Sequence, residues 1–197
     1  ALRVFNDQGE GYFNWVENAL DWVHDNRDAF ANPITAVNLS LGTTWNSDSI
    51  PAWAMLEDEF SQLHADGIFV SVAAGNDFQD YGDAGLSYPA VSPHVVPVSS
   101  VTNSGAFSSF SQRHDRVIAA PGQSITSTVP DYLFDFNGVS DDFGTASGTS
   151  MAAPYVAGAS VLVRQAMDFA GITNVTQDTI YDHLRDTANL FYDSATN

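Results

Sequence analysis

The sequence predicts an α/β fold built on a mostly parallel sheet covered on both faces. Three observations carry this prediction. Strand-like and helix-like segments alternate with short connections. The run Ile68-Phe69-Val70-Ser71-Val72-Ala73-Ala74 is almost continuously apolar, as a strand buried on both sides must be. The segment Gly148 to Ala170 has helical character and is apolar nearly all round, which predicts a central, buried helix.

Taken in order, Leu2-Arg3-Val4-Phe5 reads as the end of a strand, and Gly9 and Gly11 mark a turn. From about Tyr12 to Asp28, Phe13, Val16, Leu20 and Val23 recur at helical spacing opposite Glu17, Asp21 and Asp25. Asn32-Pro33 breaks that helix. Val37, Leu39 and Leu41 alternate with Asn38 and Ser40, a strand ending at Gly42. Ser49 reads as a helix cap with Pro51 in the first turn, and Met55, Leu56, Phe60 and Leu63 as the buried stripe, closed by Gly67. Val95 to Val101 and Val117 to Ala120 predict further strands. A final helix runs from about Gln177 to Ala188 with Ile180, Leu184 and Ala188 inward. Asp131 to Gly144 is acidic and aromatic and reads as a surface excursion.

The 197 residues fit one domain, or a large piece of one. All six basic residues are arginine, and the formal net charge is −18. Phosphates need neutralising cations, so this charge argues against nucleic acid as a partner. No run of about 18 apolar residues occurs, so no membrane span is expected. Cysteine is absent, which excludes disulfides and thiol chemistry. The chain begins at Ala1 without initiator methionine or signal peptide, and its N-terminus reads as cut from something longer.

The chemistry concentrates in Gly148-Thr149-Ser150-Met151-Ala152-Ala153-Pro154. A serine at a helix start sits among unpaired backbone N–H groups and the positive dipole end, an environment that suits a developing anion. A glycine–serine pair is also a common helix cap, and that reading stands beside the catalytic one. The second constellation is the strand exit Ala73-Ala74-Gly75-Asn76, where α/β sheets gather functional groups. Asn76 can offer a carboxamide N–H to an oxyanion, and the Ser150 N–H a second donor. As an alternative, Asn76 is a turn residue in the left-handed region.

Together these blocks resemble the serine and oxyanion-asparagine blocks of the subtilisin-like serine peptidases, the subtilases. Val37-Asn38-Leu39-Ser40-Leu41-Gly42, Tyr88-Pro89 and Ala120-Pro121-Gly122 resemble further family blocks in the same order. These are a cleft-lining strand, a cis-proline turn and a strand-ending turn. The resemblance implies peptide-bond hydrolysis through an acyl-enzyme, with Ser150 as nucleophile and Asn76 as oxyanion donor. It implies that Ser40, Leu41 and Gly42 pair with an extended peptide or protein substrate. Ala74, Gly75 and Ser87 would line the pocket for the residue before the scissile bond, with room for a medium or large apolar side chain. No cofactor is required for this chemistry, structural calcium is compatible with the family, and the implied location is extracellular or cell-surface. Tyr155 departs from the histidine the family often carries, with packing consequences only.

The family order is Asp, His, Ser. Neither an Asp-Thr-Gly-like nor a His-Gly-Thr-His-like block occurs here. The expectation is a partial catalytic domain over residues 1–197, its sheet truncated at both ends. The base-bearing segment of the same domain would lie upstream and a final strand downstream, after Asn189-Leu190-Phe191-Tyr192. The chain alone is then expected to be inactive. His24, His64, His94, His114 and His183 read as surface or capping histidines rather than bases. A non-cleaving peptide-binding module is the alternative. An α/β-hydrolase-type esterase, in the order Ser150, then Asp168, Asp178 or Asp182, then His183, ranks below both, because no apolar strand precedes Ser150. No metal ligands are assigned: Asp77, Asp80 and Asp83, and Asp131, Asp135, Asp141 and Asp142, read as solvated acidic loops. Asn174-Val175-Thr176 fits a glycosylation sequon and equally a helix cap at Thr176.

Overall fold

The computed structural model describes residues 1–129, 143–190 and 193. Four parallel strands form the main sheet in the order β1 (Ala36–Leu39), β2 (Phe69–Ala73), β3 (Val96–Val101), β4 (Ile118–Pro121). The register pairs Val37 with Val70, Ser71 with Val96 and Ser99 with Ala119. Strand β2 is buried at every position, as its apolar run requires. Its side chains divide by strand alternation. Val70 and Val72 pack with Val16, Leu20, Phe60 and Leu63 of helices α1 (Phe13–Asn26) and α2 (Glu57–Ala65) on one face. Phe69 and Ala73 pack with Ala152, Ala153, Val156 and Ile180 on the other. That second layer belongs to α4 (Thr149–Phe169) and α5 (Gln177–Thr187). Both faces are therefore covered, and the predicted α/β architecture holds. A single-turn helix α3 (Phe78–Tyr81) follows the β2 exit, and an antiparallel pair β5 (Ile125–Thr128) and β6 (Phe143–Ala146) stands apart from the main sheet.

Several boundaries differ from expectation for local reasons. Leu2 to Phe5 joins no strand among the described residues, although Val4 packs against the core. Helix α2 starts at Glu57, not at Ser49. Pro51 instead opens a separate turn, closed by the Ala54 N–H to its carbonyl at 2.9 Å, and Met55 is exposed. The true start carries Glu57, Asp58 and Glu59 in its first turn, where carboxylates complement the helix dipole. Helix α4 is central only in its first half. Its 21 residues run roughly 30 Å, whereas the six-residue β3 covers about 20 Å, so the helix outruns the sheet. Leu162 and Phe169, 68% and 85% exposed, lie on the overhang. In α5, Ile180 is buried and Leu184 half-buried, but Ala188 lies past the helix end and is exposed. Thr176 caps α5 with a reciprocal capping box to Thr179, which accounts for the sequon-like triplet structurally. Of the expected 131–144 excursion, Phe143 and Gly144 belong to β6; residues 131–142 lie outside the described residues, as do Phe191 and Tyr192.

Candidate active site

Three chain segments converge at the carboxyl ends of β1 and β2 and the N-terminus of α4. Tyr88-Pro89 is a cis peptide bond, as the resemblance implied. Gly122 explains the Ala120-Pro121-Gly122 turn by close approach. A Cβ there would sit 2.7 Å from the Gly148 carbonyl, whose residue donates its N–H to Gly122 O at 2.8 Å. This contact delivers Gly148, and with it the start of α4, to the ends of the strands.

Thr149, fully buried, joins the two blocks. Its backbone N–H donates to Asn76 Oδ1 at 2.8 Å and its hydroxyl to the same oxygen at 3.1 Å. A backbone N–H can only donate, so the atom facing it is the carboxamide oxygen. The Nδ2 group is thereby turned towards the serine turn, within 3.6 Å of where a Cβ on Gly148 would lie. The Gly75 N–H donates to Thr149 Oγ1 at 3.3 Å. Asn76 is not among the described non-glycine residues of positive φ, so the left-handed-turn reading of it is corrected: its side chain, not its backbone, is what the site uses. Sequence reasoning passed over Thr149, although it lies inside the serine block.

Pro154 lies one helical turn after Ser150 and has no N–H to give the Ser150 carbonyl. The Ser40 hydroxyl fills the vacancy, donating to Ser150 O at 2.7 Å. Reciprocally, Ser150 Oγ makes a long 3.4 Å bond to the Ser40 carbonyl. Ser40 thus anchors the turn that carries Ser150 to the end of β1.

A cavity of about 170 Å³ opens beside Ser150 and Asn76, lined also by Leu41, Gly42, Thr43, Thr44, Ala73, Gly75, Asp77, Ser87 and Thr149. Of the residues expected to line the pocket, Gly75 and Ser87 do. Ala74 does not: strand alternation puts Ala73 and Gly75 on the cavity side and buries Ala74 in the core against the α1–α2 layer. The lining is more polar than expected, with Thr43, Thr44, Asp77 and Ser87. A second cavity of about 110 Å³ lies beyond the same Leu41-Gly42-Thr43 segment, walled by Val4, Phe5, Tyr12, Phe13 and Val16. One extended segment therefore borders two cavities.

All five histidines are described, and none lines the Ser150 cavity. His24 is half-buried rather than exposed, its Nδ1 2.6 Å from Asp66 Oδ2. His64 faces Asp178 at 3.0 Å, His114 faces Asp48 at 3.2 Å, and the His94 ring packs 5.5 Å from that of His64. His183 is exposed on α5. Of the residues named for the esterase arrangement, His183 does not line the cavity beside Ser150, and Asp178 faces His64. The strand before Ser150 is β6, which among the described residues pairs with β5 in a small separate sheet. Among the described residues no three His, Cys, Asp or Glu side chains converge as a metal site. Asp77, Asp80 and Asp83 do not form one, while Asp131, Asp135, Asp141 and Asp142 lie outside the described residues. No described helix is long and apolar enough to cross a membrane.

The family model described as the Subtilase family matches residues 1–197. Subtilisin E of Bacillus subtilis is 32% identical over 164 residues, 83% of this chain and 38% of its own length. An intracellular serine protease of Paenibacillus polymyxa is 30% identical over 186 residues, 93% of this chain and 50% of its own. Among solved structures, a cold adapted subtilisin-like serine proteinase aligns at a TM-score of 0.69 and 29% identity, covering 91% of this chain and 56% of that one. The chain thus spans half or less of the length of these two relatives.

Proposed function

Because the chain belongs to the subtilase family, we propose that it carries the nucleophile and oxyanion half of a serine endopeptidase site. The observation that carries this reading is the Thr149–Asn76 pairing, which aims the carboxamide N–H₂ of Asn76 at the turn that presents Ser150. Ser150 Oγ attacks the scissile carbonyl, and the oxyanion accepts hydrogen bonds from Asn76 Nδ2 and the Ser150 N–H. The amine leaves, and water hydrolyses the resulting acyl-enzyme. An extended peptide lies along Ser40, Leu41 and Gly42 by strand addition, with its side chains reaching the two cavities that this segment borders.

The serine proton needs a base. The Ser40 carbonyl at 3.4 Å is too weak a base to take it, and no histidine lines the cavity. From the family order Asp, His, Ser, we assign the base and its orienting carboxylate to a segment of the same domain outside these 197 residues. By themselves, the 197 residues bind extended peptide without cutting it, and the same observation favours that second reading. Calcium takes no part in the steps above. Secretion is our reading from the family; the intracellular relative shows that the fold serves elsewhere too.

Two measurements test the proposal. A fluorophosphonate should label Ser150 stoichiometrically in the full-length parent and not in its Ser150→Ala variant. Casein turnover by the 197-residue chain alone should be at background. Failure to label the parent would remove Ser150 from the chemistry, and turnover by the chain alone that Ser150→Ala abolishes would show that a base is present after all.

A further inference from the structure

We propose that Gln112 is a positioning residue that fixes the width of the Ser150 cavity from behind, without touching substrate. This inference rests on the peptide-binding reading above. Gln112 is fully buried and lies outside the cavity lining. Its backbone N–H donates to the Gly75 carbonyl at 2.9 Å, and its own carbonyl accepts from Ser99 Oγ at 2.6 Å, which ties it to β3. Its side-chain Nε2 crosses to the opposite wall and donates to Trp45 O at 3.0 Å and Asn46 Oδ1 at 2.7 Å. The two walls of the cavity, Thr43-Thr44 on one side and Gly75-Asn76 on the other, are thereby braced to one side chain.

The orientation of the amide is forced. Both groups it meets on the far wall are acceptors, and Asn46 is itself held by its Nδ2 bond to Asp83 O at 3.2 Å. Gln112 Oε1 is consequently pressed towards Gly75 and, buried, has no hydrogen-bond partner among the described residues. An orphaned buried acceptor costs stability. The amide meets a demand on geometry at this point that a methionine of similar size would not, since methionine has no donor for the far wall.

The test is Gln112→Met in the 197-residue chain, with two readouts. The first is amide hydrogen exchange. Exchange at 43–47 and 75–77 should rise about tenfold or more, with Ile180 in α5 unchanged. The second is NMR titration with acetyl-tetrapeptide carboxylates ending in alanine or phenylalanine. Their affinity ratio should change at least threefold in the variant. Unchanged exchange at both walls, an equal rise throughout α5, or an unaltered affinity ratio in a chain that binds peptide would each overturn the brace. A wild-type chain that binds neither peptide, but whose exchange responds as stated, supports the brace and overturns the peptide-binding reading. Should Gln112→Met not fold, Asn46→Ala removes one of the two far-wall acceptors, together with the bond to Asp83 O, leaves the Trp45 carbonyl in place and carries the same expectations at 43–47 at a smaller amplitude.

Discussion

Replacing Gly75 by alanine probes the strand exit that presents the oxyanion donor. Gly75 has φ +115°, outside the range that L side chains adopt comfortably. Holding a non-glycine residue in such a region costs about 1–3 kcal/mol. The added methyl would also lie 1.8 Å from Gln112 Oε1, 2.6 Å from its Cδ and 3.0 Å from Ser87 Cβ. Gln112 is fully buried and tied at both ends, so it cannot swing clear, and forced overpacking adds about 1–3 kcal/mol. The sum, about 4 kcal/mol, corresponds to a fall in Tm of about 10 °C for a chain of this length. Thermal unfolding followed by circular dichroism measures it. A second experiment separates the two causes. In a Gln112→Ala background the carboxamide contact is gone and the nearest remaining neighbour is Ser87 Cβ at 3.0 Å, so the double variant should be less destabilised than the two single changes sum to, by about 1–3 kcal/mol. A Gly75→Ala Tm within about 2 °C of wild type would refute the conformational argument. Strict additivity would refute the contact.

Two further predictions follow from the same geometry and from the α1–α2 seam. On the proposed function, Asn76→Ala in the full-length parent should lower kcat with little change in KM; in subtilisin itself, loss of an oxyanion-hole asparagine costs about 2.7–4 kcal/mol, a value that belongs to that relative. Asn76→Asp keeps the acceptor for Thr149 but turns a carboxylate oxygen on the oxyanion, and should be slower still; an unchanged kcat in either variant would remove Asn76 from the mechanism. Burial pushes the Glu59 carboxyl above its ordinary value of 4.5, and Glu17, Asp21 and Asp58 push the same way against a backbone hydrogen bond. A raised folded-state value means that this group's contribution is fully present below pH 4.5 and is lost as pH rises through the folded value. Glu59→Gln should therefore raise Tm at pH 7 and lose that advantage below pH 4.5, and an equal shift at both pH values would contradict it.

Much of this molecule was legible in its sequence because the relevant physics is local. The apolar run of β2 declared burial on both faces, and the 3.6-residue recurrence of Val16, Leu20 and Val23 declared α1. The serine block announced a helix start, which the structure places at Thr149, and offered Ser150 as a candidate nucleophile. The start of α2 was misplaced because Ser49-x-Pro51 carries a capping signal that a turn used instead. The exposed end of α4 could not be read either, since hydropathy does not report how far a sheet extends.

Residue type and spacing by themselves determined the α/β class and the order of the main-sheet strands and long helices, and they brought Ser150 and Asn76 forward as candidates. Tertiary structure alone decided how that pair is held. The Asn76 oxygen is claimed by Thr149 from 73 residues away, Ser40 occupies the carbonyl that Pro154 leaves unbonded, and Gln112 reaches across from Gly75 to Asn46. Such bonds join segments far apart in the chain, and no periodicity or local propensity records which donor will meet which acceptor once the sheet has formed.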